Sequence, residues 1–311
     1  MKNNFLYASL IFLFFCCSHS ATENNQQYSL KHDQSSYIQS KEIDSSAFVL
    51  PAILPNISTD TSFDLKFKNY LYKTIIKVPD SSRDYKGVIL ALHGWNLPHT
   101  DWCDKTELCK KATEQGYIII LPEMGKSTYS NYYYPETRKD WIKYPTRKWF
   151  QDSLITYLQN EFGLLIAGQP NYILGLSTGG KGAALIALDN PDIFKAAAVL
   201  SADFDHTFFP KSGYYIGFYG QYEKFKERWI QEDNLMYSIK QYAVPTYLGH
   251  GLKDNVSPAN QTVMFYDSLR RYQPDLSCTL HIDSLAKHDY PYWNSEVDPM
   301  LRFFGKFKKQ P

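Results

Sequence analysis

Polar and apolar residues change period several times along this chain, and the changes mark its elements. Residues 63–79, FDLKFKNYLYKTIIKVP, alternate apolar and polar positions, the period-two signature of half-buried strands. GVILALHG at 87–94 is instead a continuous apolar run, which suits a strand covered on both faces. From there the order becomes regular. A helical pattern at 104–116 (DKTELCKKATEQG) leads to the run YIIILPEM at 117–124, and one at 146–162 leads to NYILGLS at 171–177. A helix from Gly179 to Leu188 leads to AAAVLSA at 196–202; VPTYLGHG at 244–251, a helix around 261–272 and SCTLHID at 277–283 extend the series. Strands alternating with helices of this length predict an α/β fold: a mostly parallel central sheet with helices on both faces and ligands at the carboxyl ends of the strands.

The N-terminus does not follow that pattern. MKNN precedes the apolar run FLYASLIFLFFCC, which has the length of a signal-peptide core and is too short to span a bilayer comfortably. The small residues of SHSA suit cleavage after Ser20, so residues 1–20 read as a signal peptide and the product as secreted or periplasmic, with no stable membrane insertion. A lipid anchor on Cys17 is the alternative, against which Phe14, Phe15 and Cys16 make a poor attachment box. Residues 21–46 are polar, rich in Ser and Gln and without periodicity, and read as a flexible leader. The catalytic domain then runs from 47 to 311.

Composition changes this picture little. At 311 residues and 44% hydrophobic, the chain has room for one large α/β domain. Its 33 basic and 32 acidic side chains nearly cancel, which removes the electrostatic reason to expect a nucleic-acid partner. No clustered His and Cys spacing suggests a metal site, and no organic cofactor is implied. Cys103 and Cys109 can pair in an oxidising compartment. On one continuous helix six residues would put them on different faces, so pairing requires Cys103 to lie in the loop ahead of the helix. Cys278 opens an apolar strand and reads as buried filler.

Candidate chemistry centres on Ser177, which sits between Gly175 and Gly179 where an apolar strand meets a helix. A strand that turns sharply into a helix needs small neighbours, because a Cβ there collides with the crossing backbone; the turn exposes the serine hydroxyl above the sheet. Such a hydroxyl needs a histidine as base and a carboxylate to fix the imidazole tautomer. His288 in LAKHDYPYW and Asp254 in GHGLKDNVSP each lie just past a strand end. The order Ser177, Asp254, His288 is that of α/β-hydrolases. Asp203, Asp205 and Asp289 compete with Asp254, while His281, His250 and His206 occupy positions that suit structural or solvent roles. The amides of Trp95 and Thr178 are the expected oxyanion donors, with His93 fixing the loop that carries Trp95.

Taken together, LHG at 92–94, GLSTGGKGA at 175–183, LDNPDIFKAAAVLSADFD after it, GHGLKDNVSP and HDYPYW at 288–293 give a resemblance to the α/β-hydrolase group that includes esterase D, S-formylglutathione hydrolases and the mycobacterial mycolyltransferases. It covers about residues 60–305. Tyr290 stands where the group's H-x-W-x-x-W pattern has its first Trp; AKH precedes the histidine where esterase D has glycines; and the mycolyltransferases use Glu as the acid. The resemblance implies a serine carboxylesterase acting through an acyl-enzyme on a small or polymer-borne ester. The alternatives are an acyltransferase on the same residues, or a non-catalytic binding protein on a hydrolase fold. The long segment 125–148 carries Tyr133 and Trp141, with Trp149 just beyond, as candidate substrate walls, and residues 213–229 offer a second aromatic wall.

Overall fold

In the computed structural model, which describes residues 55–80, 83–231 and 233–308, the alternating segment becomes an antiparallel hairpin of β1 (Thr61–Phe67) and β2 (Tyr70–Lys77). The signal segment over 1–20, Cys17 and the leader over 21–46 lie outside the described residues. The continuous apolar runs become β3 (Gly87–Leu92), β4 (Tyr117–Pro122), β5 (Asn171–Leu176), β6 (Phe194–Leu200), β7 (Thr246–Gly251) and β8 (Cys278–Asp283). All eight strands form one sheet in the order β1-β2-β4-β3-β5-β6-β7-β8. β2 pairs antiparallel with both its neighbours, and every pairing from β4 to β8 is parallel. The sheet is mostly parallel and covered on both faces, as the alternation of strands and helices predicts, and the fold is the α/β-hydrolase fold that the resemblance implies.

Period-two geometry divides each central strand between two cores. Val88, Leu90 and Leu92 of β3 join the layer that holds Ala183 and Ala184 of helix Thr178–Asp189 and Phe265 of helix Asn260–Tyr272. Ile89 and Ala91 join the opposite layer, with Leu108 of helix Leu108–Glu114 and Met300 and Phe304 of helix Val297–Phe304. Because both faces are covered, every residue of β3, β4, β5 and β7 is buried, which is why these strands read as unbroken apolar runs.

Two local expectations are corrected. The helix over 146–162 is interrupted: Thr146–Trp149 and Ile155–Phe162 flank a π-turn at Phe150–Leu154, before Gly163 ends the segment at φ 64°. Cys103 lies in a four-residue helix of its own, Asp101–Asp104, rather than in a loop. The chain breaks before helix Leu108–Glu114, and that break lets Cys103 and Cys109 form a disulfide with Cα atoms 5.0 Å apart. No helix among the described residues is long and apolar enough to cross a membrane.

Sheet order also locates a crevice. From β3 the chain steps to β4 on one side, and from β5 it steps to β6 on the other, so the loops beyond these adjacent central strands diverge. Trp95 follows β3 and Ser177 follows β5.

Candidate active site

Ser177 is the last residue before helix Thr178–Asp189 and has φ 55° and ψ −127°, a conformation that costs a residue with a side chain about 1–3 kcal/mol. The turn is held by packing that only glycine permits. A Cβ on Gly175 would lie 2.0 Å from the Gly179 carbonyl oxygen, and one on Gly179 would lie 2.3 Å from that of His93. The Ser177 N–H donates to Leu200 O at 2.8 Å, tying the turn to the end of β6.

His288 stands in the loop after β8 with Nε2 3.0 Å from Ser177 Oγ and Nδ1 2.6 Å from Asp254 Oδ2. These contacts fix the roles of the ring nitrogens: Nδ1–H donates to the carboxylate, leaving Nε2 to accept from the hydroxyl. Asp254 is gripped on both oxygens. Oδ1 accepts from the amides of Val256 and Ser257, at 2.8 and 2.9 Å, and Oδ2 accepts from His288 and from His250 Nε2 at 3.1 Å. Burial alone would raise this carboxyl, but the donors from His250, His288 and Ser257 outweigh it and hold it well below the usual carboxylate range.

The three rival carboxylates are engaged elsewhere. Asp203 accepts from the hydroxyls of Tyr215 and Ser257. Asp205 accepts from Thr207 and Asn234, and Asp289 caps helix Tyr290–Ser295. His93 fixes its loop, as its place in the sequence suggests: Nδ1–H donates to Gly94 O at 2.7 Å and Nε2 accepts from Met124 N–H at 2.8 Å. Burial lowers its pKa to about 4, so the ring stays neutral in this bonding pattern. The loop has a second brace, because the Tyr290 hydroxyl donates to Asp101, which joins the segment after β3 to the segment after β8. Among the described residues neither the Trp95 nor the Thr178 N–H has an intramolecular acceptor.

Trp95, Ser177 and Thr178 border a cavity of about 340 Å³, whose wall continues through Tyr214 and Tyr215. The three aromatic candidates from 125–149 do not line it. Trp149 is 0% exposed and stacks on Tyr72 at 4.7 Å, so it belongs to the core beneath the sheet. Truncation to alanine there costs about 3–5 kcal/mol of stability. Tyr133 is 48% exposed and borders a separate depression beside Lys68 and Phe67. Trp141, 6% exposed, sits behind the wall, packing edge-on to the Trp95 ring at 4.8 Å and against Phe218 at 5.3 Å.

Two residues of the site were missed by sequence reasoning. His250, read as a structural or solvent histidine, is fully buried and takes Asp254 as one of its partners; its Nδ1 accepts from the Thr262 hydroxyl and its Nε2–H also meets Ser257 O. The spacing H-x-x-x-D at 250–254 carried that signal. Lys181 lies one helical turn after Ser177, buried, with its side chain on the cavity. Burial lowers its pKa to about 8, against the opposing pull of Asp233 and Asp203. Among the described residues no group of His, Cys, Asp or Glu is arranged to hold a metal ion.

A family model described as "Putative esterase" matches residues 66–304. The chain belongs to the esterase family. As a family member it is a serine hydrolase of the carboxylic-ester class. Solved structures similar to this esterase include the fluorophosphonate-binding serine hydrolase F of Staphylococcus aureus, at 20% identity and TM-score 0.61, over 79% of this chain and 98% of that one. An S-formylglutathione hydrolase from Agrobacterium tumefaciens is 16% identical with TM-score 0.64, over 82% and 98% of the two chains. MPT51 of Mycobacterium tuberculosis is 14% identical with TM-score 0.64, over 81% and 100%. At these identities the likeness is one of fold.

Proposed function

We propose that this esterase is an exported carboxylesterase working through an acyl-enzyme on Ser177, His288 and Asp254. The observation that carries the reading is the pair of contacts at His288, 3.0 Å to Ser177 Oγ on one side and 2.6 Å to Asp254 Oδ2 on the other. Ser177 Oγ attacks the ester carbonyl while His288 Nε2 takes the hydroxyl proton. The Trp95 and Thr178 amides receive the oxyanion. Collapse of the tetrahedral adduct breaks the bond to the alcohol oxygen, which leaves with the proton from His288. Water then attacks the acyl-serine, giving its proton to His288, and Ser177 recovers that proton as the carboxylic acid departs. Asp254 stays ionised throughout and stabilises the imidazolium.

Export through a signal peptide at 1–20, with a leader over 21–46 and a catalytic domain from 47 to 311, completes the proposal. It is supported by the Cys103–Cys109 disulfide, which suits an oxidising compartment. The test of the chemistry is a fluorophosphonate probe, which should label one serine and abolish activity against p-nitrophenyl esters in proportion to labelling. Labelling that persists in Ser177→Ala overturns the assignment. N-terminal sequencing of exported material should begin at Ala21; a chain beginning at a lipid-modified Cys17 replaces soluble export with anchoring.

A further inference from the structure

Ser177 is not the only polar group that borders the cavity. Lys181 is 2% exposed, lies about 6 Å further along the same helix axis, and lines the cavity too. An ammonium has three N–H donors. One of them meets His206 Nδ1 at 3.3 Å, and the face of the Tyr215 ring lies 5.5 Å from Nζ. The carboxylates in the neighbourhood are bonded to other groups: Asp203 to Tyr215 and Ser257, Asp233 to Arg147 and Tyr219. Among the described residues, two donors of this buried cation therefore have no acceptor. Buried donors left unmet are costly, and an incoming oxygen that meets them removes the cost.

Which part of an ester would reach Lys181 follows from the placement of His288. The imidazole that protonates the leaving oxygen is not among the cavity-lining residues, whereas the two amides set to receive the oxyanion belong to residues that are. The alcohol thus departs on the His288 side, and the acyl group stays in the cavity. Its lining combines the aromatic side chains of Trp95, Tyr214 and Tyr215 with the polar ones of Lys181, Asp203 and Ser201. A plain alkyl end laid against Lys181 leaves those two donors unmet.

We infer that Lys181 makes this cavity a subsite for acyl groups bearing an oxygen acceptor at their far end, carbonyl or carboxylate, and turns away alkyl chains of the same length. The inference rests on the esterase reading of Ser177. A site built to hydrogen-bond a substrate oxygen discriminates strongly against the analogue lacking it, because its own polar groups are then left unpaired.

The test compares p-nitrophenyl pentanoate, p-nitrophenyl 4-oxopentanoate and p-nitrophenyl hydrogen glutarate, each rate divided by that ester's spontaneous hydrolysis. Wild-type kcat/KM should favour the better of the two acceptor esters over pentanoate by about tenfold or more, and which acceptor leads tells a neutral from an anionic ligand. In Lys181→Met the ratio should fall to one or below, pentanoate gaining and the acceptor ester losing, and its pentanoate turnover shows that the variant has folded. Lys181→Gln, which keeps a donor, should lie between. Equal wild-type rates, or an unchanged ratio in Lys181→Met, overturn the inference while leaving the esterase reading intact. Hydrolysis that survives Ser177→Ala overturns that reading, and the inference with it.

Discussion

Asp254 and Lys181 are both buried charges within reach of Ser177, and they are treated in opposite ways. Asp254 receives four donors, two from histidines and two from backbone amides, and its charged form is stabilised despite burial. Lys181 has one imidazole acceptor and an aromatic face, and its charged form is destabilised. A charge that the protein itself satisfies on every side serves to position other groups. A charge that the protein leaves short of partners weakens the fold and gains them only from a ligand. Under the proposed reading, the contrast separates the groups that carry the reaction from the group that selects its substrate.

The largest expected effect tests the satisfied charge. Asp254→Asn removes the acceptor that fixes the His288 tautomer, and kcat should fall by roughly 10⁴, about 5.5 kcal/mol of barrier. Asp289→Asn should stay within about threefold, because asparagine caps a helix as well as aspartate does. Steady-state kinetics on one p-nitrophenyl ester measures both, and a reversed ranking breaks the assignment of Asp254.

Next comes the unsatisfied charge. The lysine pKa is 10.5 when unperturbed and about 8 here, a difference worth about 3 kcal/mol against the folded state. Its folded value is the depressed one, so the penalty is in full force below pH 8, shrinks from pH 8 to 10.5, and is absent above. Lys181→Met should therefore raise the melting temperature by several degrees at pH 7 and by little near pH 10.5. A variant less stable than wild type at pH 7 would show that the ammonium is already satisfied. The smallest effect concerns His250. Replacing it with phenylalanine removes one of four donors to Asp254, and kcat should drop about tenfold, roughly 1.4 kcal/mol, with KM nearly unchanged. An equal rise in KM would place His250 in substrate binding instead.

What the sequence made legible follows from what each residue depends on. Strands buried on both faces appear as apolar runs, and the elbow around Ser177 needs glycines whatever surrounds it; both are local requirements, open to reading along the chain. Asp254 and His288 could be placed beside Ser177 because strand ends share one edge of a parallel sheet, and the contacts at 2.6 and 3.0 Å bring the three together. Trp141 and Trp149 look alike in sequence, yet one braces the Trp95 ring and the other fills the core under Tyr72, because Trp141 joins a separate aromatic cluster with Tyr215 and Phe218 while Trp149 joins the core on one face of the sheet. Lys181 was overlooked because its neighbours explained the motif without it, although its position four residues after Ser177 puts it on the same side of the helix. Trp141 and Tyr134 of segment 125–148 join Tyr215, Phe218, Tyr219 and Trp229 of segment 213–229 in one cluster, and of the two segments the second reaches the cavity, through Tyr214 and Tyr215.

Tyr290 donates its hydroxyl to Asp101, and the two are the first residues of helices in the segments that follow β8 and β3, strands separated in the sheet by β5, β6 and β7. Opening either segment breaks that bond, so the segment bearing Trp95 and the segment bearing His288 are coupled through it. Entropy lost when a substrate orders one of them is lost for both. A ligand held by the segment bearing Trp95 therefore also restrains, through that bond, the segment bearing His288.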